Sequence, residues 1–251
     1  MNRYFLKLAY DGTAYCGWQT QPNALTVQEV TEKALSTMFR KEIRITGAGR
    51  TDTGVHARQF FAHFDADLPN HLPLVQLVYK LNRFLPNDIR IFEIREVRPD
   101  ANARFDAISR GYQYFLSTAK NPFLRPYVWV CPFVPDIEKM NEAAKLLLET
   151  TDFTSFSKLH TQTFTNNCKV SEAFWRKDEE TMIFKITADR FLRNMVRAIV
   201  GTLLEVGRDR LDLNDFQKII DAKDRTHAGL SVPAHGLFLE EIQYPDSIFM
   251  P

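Results

Sequence analysis

The chain has almost no excess charge, few cysteines and no long apolar run, and each shortage removes a class of protein. Lys and Arg number 32 against 31 Asp and Glu, a formal charge of +1, so overall basicity does not announce a nucleic-acid partner and any such contact must come from local patches. Cys16, Cys131 and Cys168 are odd in number, far apart and in no Cys-x-x-Cys pair, which argues against a disulfide framework or a zinc site and for buried thiols. The histidines form no His-x-x-x-His pair and no carboxylate spacing fixes a cation, so no metal is expected. No apolar stretch approaches the roughly 20 residues that cross a bilayer, and Met1-Asn-Arg-Tyr-Phe-Leu-Lys7 lacks the apolar centre of a secretory signal. The expected setting is the cytoplasm, with no membrane partner.

What is present is a core-forming composition and one dense polar loop. With 251 residues and 45% hydrophobic content, the chain can bury a core as one large or two small domains. Gly47-Ala-Gly-Arg-Thr-Asp-Thr-Gly-Val-His-Ala57 places Arg50 and Asp52 two residues apart between glycines. Gly47, Gly49 and Gly54 allow positive φ and close approach by a ligand. The flanking stretches 43–47 and 59–65 alternate like strands. An ordinary hairpin loop, with Asp52 capping its own turn, would use the same residue types; the density of Arg, Thr, Asp, Thr and His speaks for chemistry. Asp52-Thr-Gly54 is also the aspartic-protease tripeptide, but it occurs once, whereas those enzymes need two aspartates sharing a proton. The guanidinium two residues away favours an ionised carboxylate, suited to a nucleophile or charge stabiliser.

Cations also recur beside aromatics: Arg104, Arg110, Lys120 and Arg125 with Phe105, Tyr112, Tyr114 and Phe115, and Arg190, Arg193 and Arg197 with Phe191 and Met195. Phosphate contact and base stacking require that mixture, although a solvated basic face over an aromatic core would read alike. The periodicity predicts strand 4–10, helix 27–39 with a Thr26-x-x-Glu29 cap, strands 43–47 and 59–65, helix 73–85 and strand 89–97. A second set follows: strand 109–118, helix 137–149, strands 170–176 and 181–188, helix 191–206 and strand 237–244. Each half is β-α-β-β-α-β, so the expected fold is α+β: two tandem ferredoxin-like halves, 1–105 and 106–251, forming antiparallel sheet with a central cleft. On the late helix Leu192, Val196, Ile199, Val200 and Leu203 make the core stripe, with Arg193 and Arg197 one turn apart on its flank. Either arginine could snorkel or serve as a bidentate partner to a carboxylate; spacing favours snorkelling for Arg193 and leaves Arg197 open. Tyr112 and Tyr114 share one face of a strand, where most tyrosines are core.

Gly49-Arg-Thr-Asp-Thr-Gly-Val-His-Ala57, Tyr10-Asp-Gly-Thr-Ala-Tyr-Cys-Gly-Trp-Gln19, Ala103-Arg-Phe-Asp-Ala107, Arg110-Gly-Tyr-Gln-Tyr114, Asp152-Phe-Thr-Ser-Phe156, Phe191-Leu-Arg-Asn-Met-Val-Arg-Ala-Ile-Val-Gly201 and Gly236-Leu-Phe-Leu239 run in order along nearly the whole chain. Together they resemble the tRNA pseudouridine synthase A family. The resemblance implies that family's fold and a cofactor-free, metal-free isomerase. It would convert uridine to pseudouridine at positions 38, 39 and 40 of the tRNA anticodon stem-loop, acting as a homodimer. It implies Asp52 as nucleophile, Tyr112 against the target uracil, Arg197 paired with Asp52, and Arg50 supporting a flipped-out nucleotide. Arg110 and Arg193, from the basic patches, and Leu237 complete the expected substrate-binding set. One departure concerns Ala188-Asp-Arg-Phe191, where the family often has glycine before the phenylalanine; this puts the local turn in question. A non-catalytic RNA-binding module would not need an anion facing RNA, and a hydrolase would need a second carboxylate or a metal.

Overall fold

The computed structural model describes residues 1–68, 73–158 and 164–250. The chain divides into two compact units, 1–108 together with 239–251, and 109–238.

The first unit carries β1 (Asn2–Tyr10), α1 (Val27–Phe39), β2 (Thr46–Gly47), β3 (His56–Ala66), α2 (Leu74–Phe84) and β4 (Ile89–Val97). Its strands order as β4-β1-β3 with β2 on β3, every pair antiparallel. Leu6, Leu8, Phe60 and Phe64 of the sheet, Leu35 of α1 and Leu77 and Leu81 of α2 are fully buried, each contributing about 1.5–3 kcal/mol from water exclusion. Helix α1 starts where Thr26 Oγ1 accepts from the Glu29 N–H at 3.3 Å, the cap its sequence predicts.

The strand expected over 43–47 shrinks to two residues. Ile43 and Ile45 are buried in alternation as that pattern requires, but their backbone groups bind α1 side chains. Ile43 N–H donates to Ser36 Oγ, Ile45 N–H to Glu32 Oε1, and Gln28 Nε2 to Ile45 O, at 2.9, 3.0 and 3.0 Å. A segment whose donors are taken by a helix has none left for a ladder.

The second unit carries β5 (Ser109–Ser117), β6 (Trp129–Val130), α3 (Ile137–Glu149), β7 (Val170–Asp178), β8 (Thr181–Ala188), α4 (Met195–Gly207) and α5 (Leu213–Ala222), and its boundary falls inside β9 (Leu237–Gln243). Strand β8 lies antiparallel between β5 and β7, and β6 runs parallel to β5. Helix α4 is buried at every position except Arg197 and Glu205 and packs on α3 and α5, as a largely apolar helix must. The secondary structure is therefore mixed α+β with mostly antiparallel sheet; the chain runs β-α-β-β-α-β from β1 to β4 and again, with β6 and α5 added, from β5 to β9, most of β9 falling in the first unit.

The late helix begins at Met195, not at 191. Asn194 sits at φ 66° in the left-handed region, and Met195 N–H donates to Leu192 O across a turn, so Leu192 and Arg193 precede the helix. Arg193 is thus not one helical turn before Arg197. The thiols of Cys16, Cys131 and Cys168 are free, the latter two buried; burial raises Cys131 and pushes Cys168 up to about 12. No helix among the described residues is long and apolar enough to cross a membrane.

Candidate active site

The Asp52 loop is mounted on residues 10–18, not only on its flanking strands. Tyr10, Trp18 and Phe60 pack into an aromatic base, Trp18 and Phe60 at 4.1 Å between centroids and Tyr10 edge-on at 5.7 Å from Phe60. Above it the two segments exchange hydrogen bonds. Tyr10 Oη and Thr51 Oγ1 are 2.9 Å apart, Trp18 N–H donates to Thr51 O, Gly54 N–H to Tyr15 O, and Gly12 N–H to Nδ1 of buried His56. Val55 N–H donates to Asp52 O at 3.1 Å, closing the turn through the main chain.

The glycines divide this work differently from the sequence expectation. Of Gly47, Gly49 and Gly54, only Gly54 has positive φ, at 77°. Gly47 lies against the Trp18 indole, where a Cβ would come within 2.3 Å of Nε1, and Gly49 faces open space. The close approaches to the loop's backbone belong to Gly12 and Gly17, which the sequence reading did not single out. A Cβ on Gly12 would stand 2.0 Å from Val55 O, and one on Gly17, whose φ is +84°, 2.3 Å from Thr51 O. Backbone lies against backbone there, so the glycines serve loop–loop packing. Gly17→Ala should therefore cost at least about 2 kcal/mol from strain and clash combined, read as a lower denaturation midpoint, and should depress activity further by moving Thr51 and Asp52.

Within this mount Asp52 is half-buried and Arg50 exposed. In the second unit Tyr112, on β5 opposite Ile186, is half-buried and meets Phe191 edge-on at 5.0 Å. Its neighbour on that face, Tyr114, is core: fully buried, donating to Pro233 O, its pKa raised by burial against the opposing charge of Arg197. Arg197 is half-buried and fixed, Nε donating to Val232 O at 2.8 Å while Val232 N–H donates to Arg197 O. That anchored geometry differs from a snorkelling side chain whose head is in water. Arg193 is exposed, with its carbonyl accepting from Lys158 N–H. Leu237 is buried at the start of β9.

Arg110 braces the turn before the late helix. Its Nη1 donates to Asp189 O at 2.8 Å, and Asp189 Oδ1 accepts from the Lys169 and Arg190 N–H groups at 2.8 and 2.7 Å. Neither Asp189 nor Arg190 has positive φ, so the turn needs no glycine. Among the described residues no group of three or more His, Cys, Asp or Glu could hold a metal ion.

A family model described as tRNA pseudouridine synthase matches residues 8–106 and 143–245. Those ranges include Asp52, Arg50, Arg193, Arg197 and Leu237, and leave out Arg110 and Tyr112. The chain is 54% identical to a tRNA pseudouridine synthase A of Bacteroides thetaiotaomicron, over 99% of this chain and 93% of the relative. It is 53% identical to that of Parabacteroides distasonis over 99% and 98%, and 52% identical to that of Porphyromonas gingivalis over the full length of both. What folds here is an α+β isomerase. The chain belongs to the tRNA pseudouridine synthase family.

Proposed function

We propose that this protein isomerises uridine to pseudouridine at positions 38, 39 and 40 of the tRNA anticodon stem-loop, with Asp52 as nucleophile and without cofactor or metal. Family membership over the whole chain supports the reaction, and the observation that carries the site is the double-anchored loop that fixes the backbone of Thr51, Asp52 and Gly54. The reaction breaks the C1′–N1 bond, rotates the uracil, forms C1′–C5 and releases the C5 proton. A carboxylate serves either by attacking the sugar or through a 2′-deprotonated route. The target base is first extruded, at a cost of a few kcal/mol, which stacking of about 1–3 kcal/mol per base offsets.

In this reading Tyr112 contacts the uracil, Arg197 is the catalytic arginine, Arg50 supports the flipped nucleotide, and Arg110, Arg193 and Leu237 belong to the substrate-binding set. Arg110 then has two duties, since it also holds the Asp189 turn. The homodimer belongs to the same proposal and rests on the family resemblance; the cytoplasmic setting belongs to it too and rests on the sequence expectation, with which action on tRNA is consistent. The direct test is tritium release from tRNA labelled at uridine C5. That hydrogen leaves only when the base is rejoined through carbon, so binding without release would leave an RNA-binding module.

With a net charge near zero, affinity must come from patches, assigned to Arg50, Arg104, Arg110, Arg125, Arg190 and Arg193. Log K should fall with log salt by about 0.7–0.9 per phosphate neutralised. Removing one peripheral arginine such as Arg193 should lower that slope by roughly one unit without changing which uridine reacts. Tyr112→Ala should leave the slope intact and destroy turnover; a salt-insensitive complex, or an active Tyr112→Ala enzyme, would remove these assignments.

A further inference from the structure

The turn at Asn102–Asp106 is anchored on every side, and it displays an arginine and a phenylalanine to solvent. Asn102 Oδ1 accepts from the Arg104 and Phe105 N–H groups at 2.9 and 3.3 Å, and Asp106 Oδ2 accepts from Asn102 N–H at 2.7 Å. Asp106 N–H returns a main-chain bond to Asn102 O. From below, buried His63 accepts the Ala103 N–H on Nδ1 at 3.1 Å, and Tyr244 Oη donates to Ala103 O. Burial lowers the His63 pKa, which suits a ring nitrogen that accepts. Ala101 and Ala103 are fully buried.

Out of this frame Phe105 projects with 76% of its surface exposed, and the Arg104 guanidinium lies over its ring at 5.4 Å. The turn's one carboxylate, Asp106, is engaged with the Asn102 N–H. A large apolar ring held in water on a fixed backbone contributes nothing to the core. Its ordering is already complete before any ligand arrives, which reduces the entropic cost of binding. A planar apolar face beside a cation matches a nucleobase with its own phosphate: the base stacks on the ring and the guanidinium meets the anion.

We propose that this turn is an RNA-contacting fixture in which Phe105 stacks on an unpaired nucleobase of the tRNA and Arg104 contacts the adjoining phosphate. It rests on the reading of the chain as a tRNA-modifying enzyme and adds a contact to that reading. The experiment uses full-length protein and tRNA transcripts carrying 2-aminopurine at one unpaired position each. Wild-type protein should quench the fluorescence at one such position. Phe105→Ala should lose the quench and bind roughly ten-fold more weakly at an unchanged melting temperature, since the side chain is exposed, and Phe105→Trp should restore both. Arg104→Ala should lower the salt slope by about 0.7–0.9.

If wild-type protein neither binds tRNA nor releases tritium, the functional reading fails. If wild-type is active and Phe105→Ala binds within two-fold, or tryptophan does not rescue, this proposal alone fails. It also fails if Phe105→Ala changes the sedimentation of the protein without RNA, because Phe105 would then cover a second copy of the chain.

Discussion

Asp52→Asn and Asp52→Ala should abolish tritium release from C5-labelled tRNA while leaving tRNA affinity within a few fold. Asparagine keeps the shape of aspartate and removes the charge and the carboxylate oxygen proposed as nucleophile, so it tests the chemistry separately from the packing. The loop is held by groups that neither substitution touches: Thr51 O, Asp52 O, the Gly54 N–H and the Tyr10–Thr51 pair. Both variants should therefore fold and dock. A loss in turnover with unchanged affinity marks an interaction made only in the transition state. An anion facing RNA repels phosphate, so Asp52→Asn has no reason to weaken binding and could tighten it slightly. Appreciable turnover in Asp52→Ala would take the nucleophile role from this residue.

The sequence made the mount of that loop only half visible. Helices α1 and α3 and strand β4 run over 27–39, 137–149 and 89–97 as their patterns predict, because caps and core stripes there are local and nothing distant competes. Strand β2 shortened because Ser36 and Glu32 on α1 capture the Ile43 and Ile45 N–H groups, a competition that alternation does not encode. Helix α5 carries its own signals, with Asp212 and Asp215 in a reciprocal cap and Phe216, Ile219 and Ile220 buried at helical spacing; a reading fitted to β-α-β-β-α-β had no slot for it. The glycines were harder still. Gly12 and Gly17 look like ordinary turn residues until Val55 O and Thr51 O are found against them, and no single-segment pattern tells which of two loops a glycine accommodates. Asn194 delays the start of the late helix by a left-handed backbone conformation that a long apolar period conceals.

Arg197→Lys should be almost as damaging as the Asp52 substitutions, although it preserves the charge. The Arg197 side chain is half-buried on α4 with Nε bonded to Val232 O at 2.8 Å, and Val232 N–H returns a bond to Arg197 O. That bond fixes the plane of the guanidinium and so the direction of its two terminal nitrogens. Lysine has one charged nitrogen. It can reach the Val232 carbonyl or present a donor at the end of its stem, but it cannot hold the carbonyl and offer two parallel donors to one anion. A fall in kcat of about a hundred-fold or more is expected, the scale of losing a placed charge-stabilising donor, with the denaturation midpoint moved much less. Arg193→Lys supplies the control: Arg193 is exposed and precedes the helix, so a contact to phosphate survives exchange of one point charge for another, and kcat should stay near wild type with at most a small rise in KM. Equal effects at both positions would show that charge alone is being sensed, and near-normal kinetics in Arg197→Lys would return that residue to a structural role on the Val232 segment.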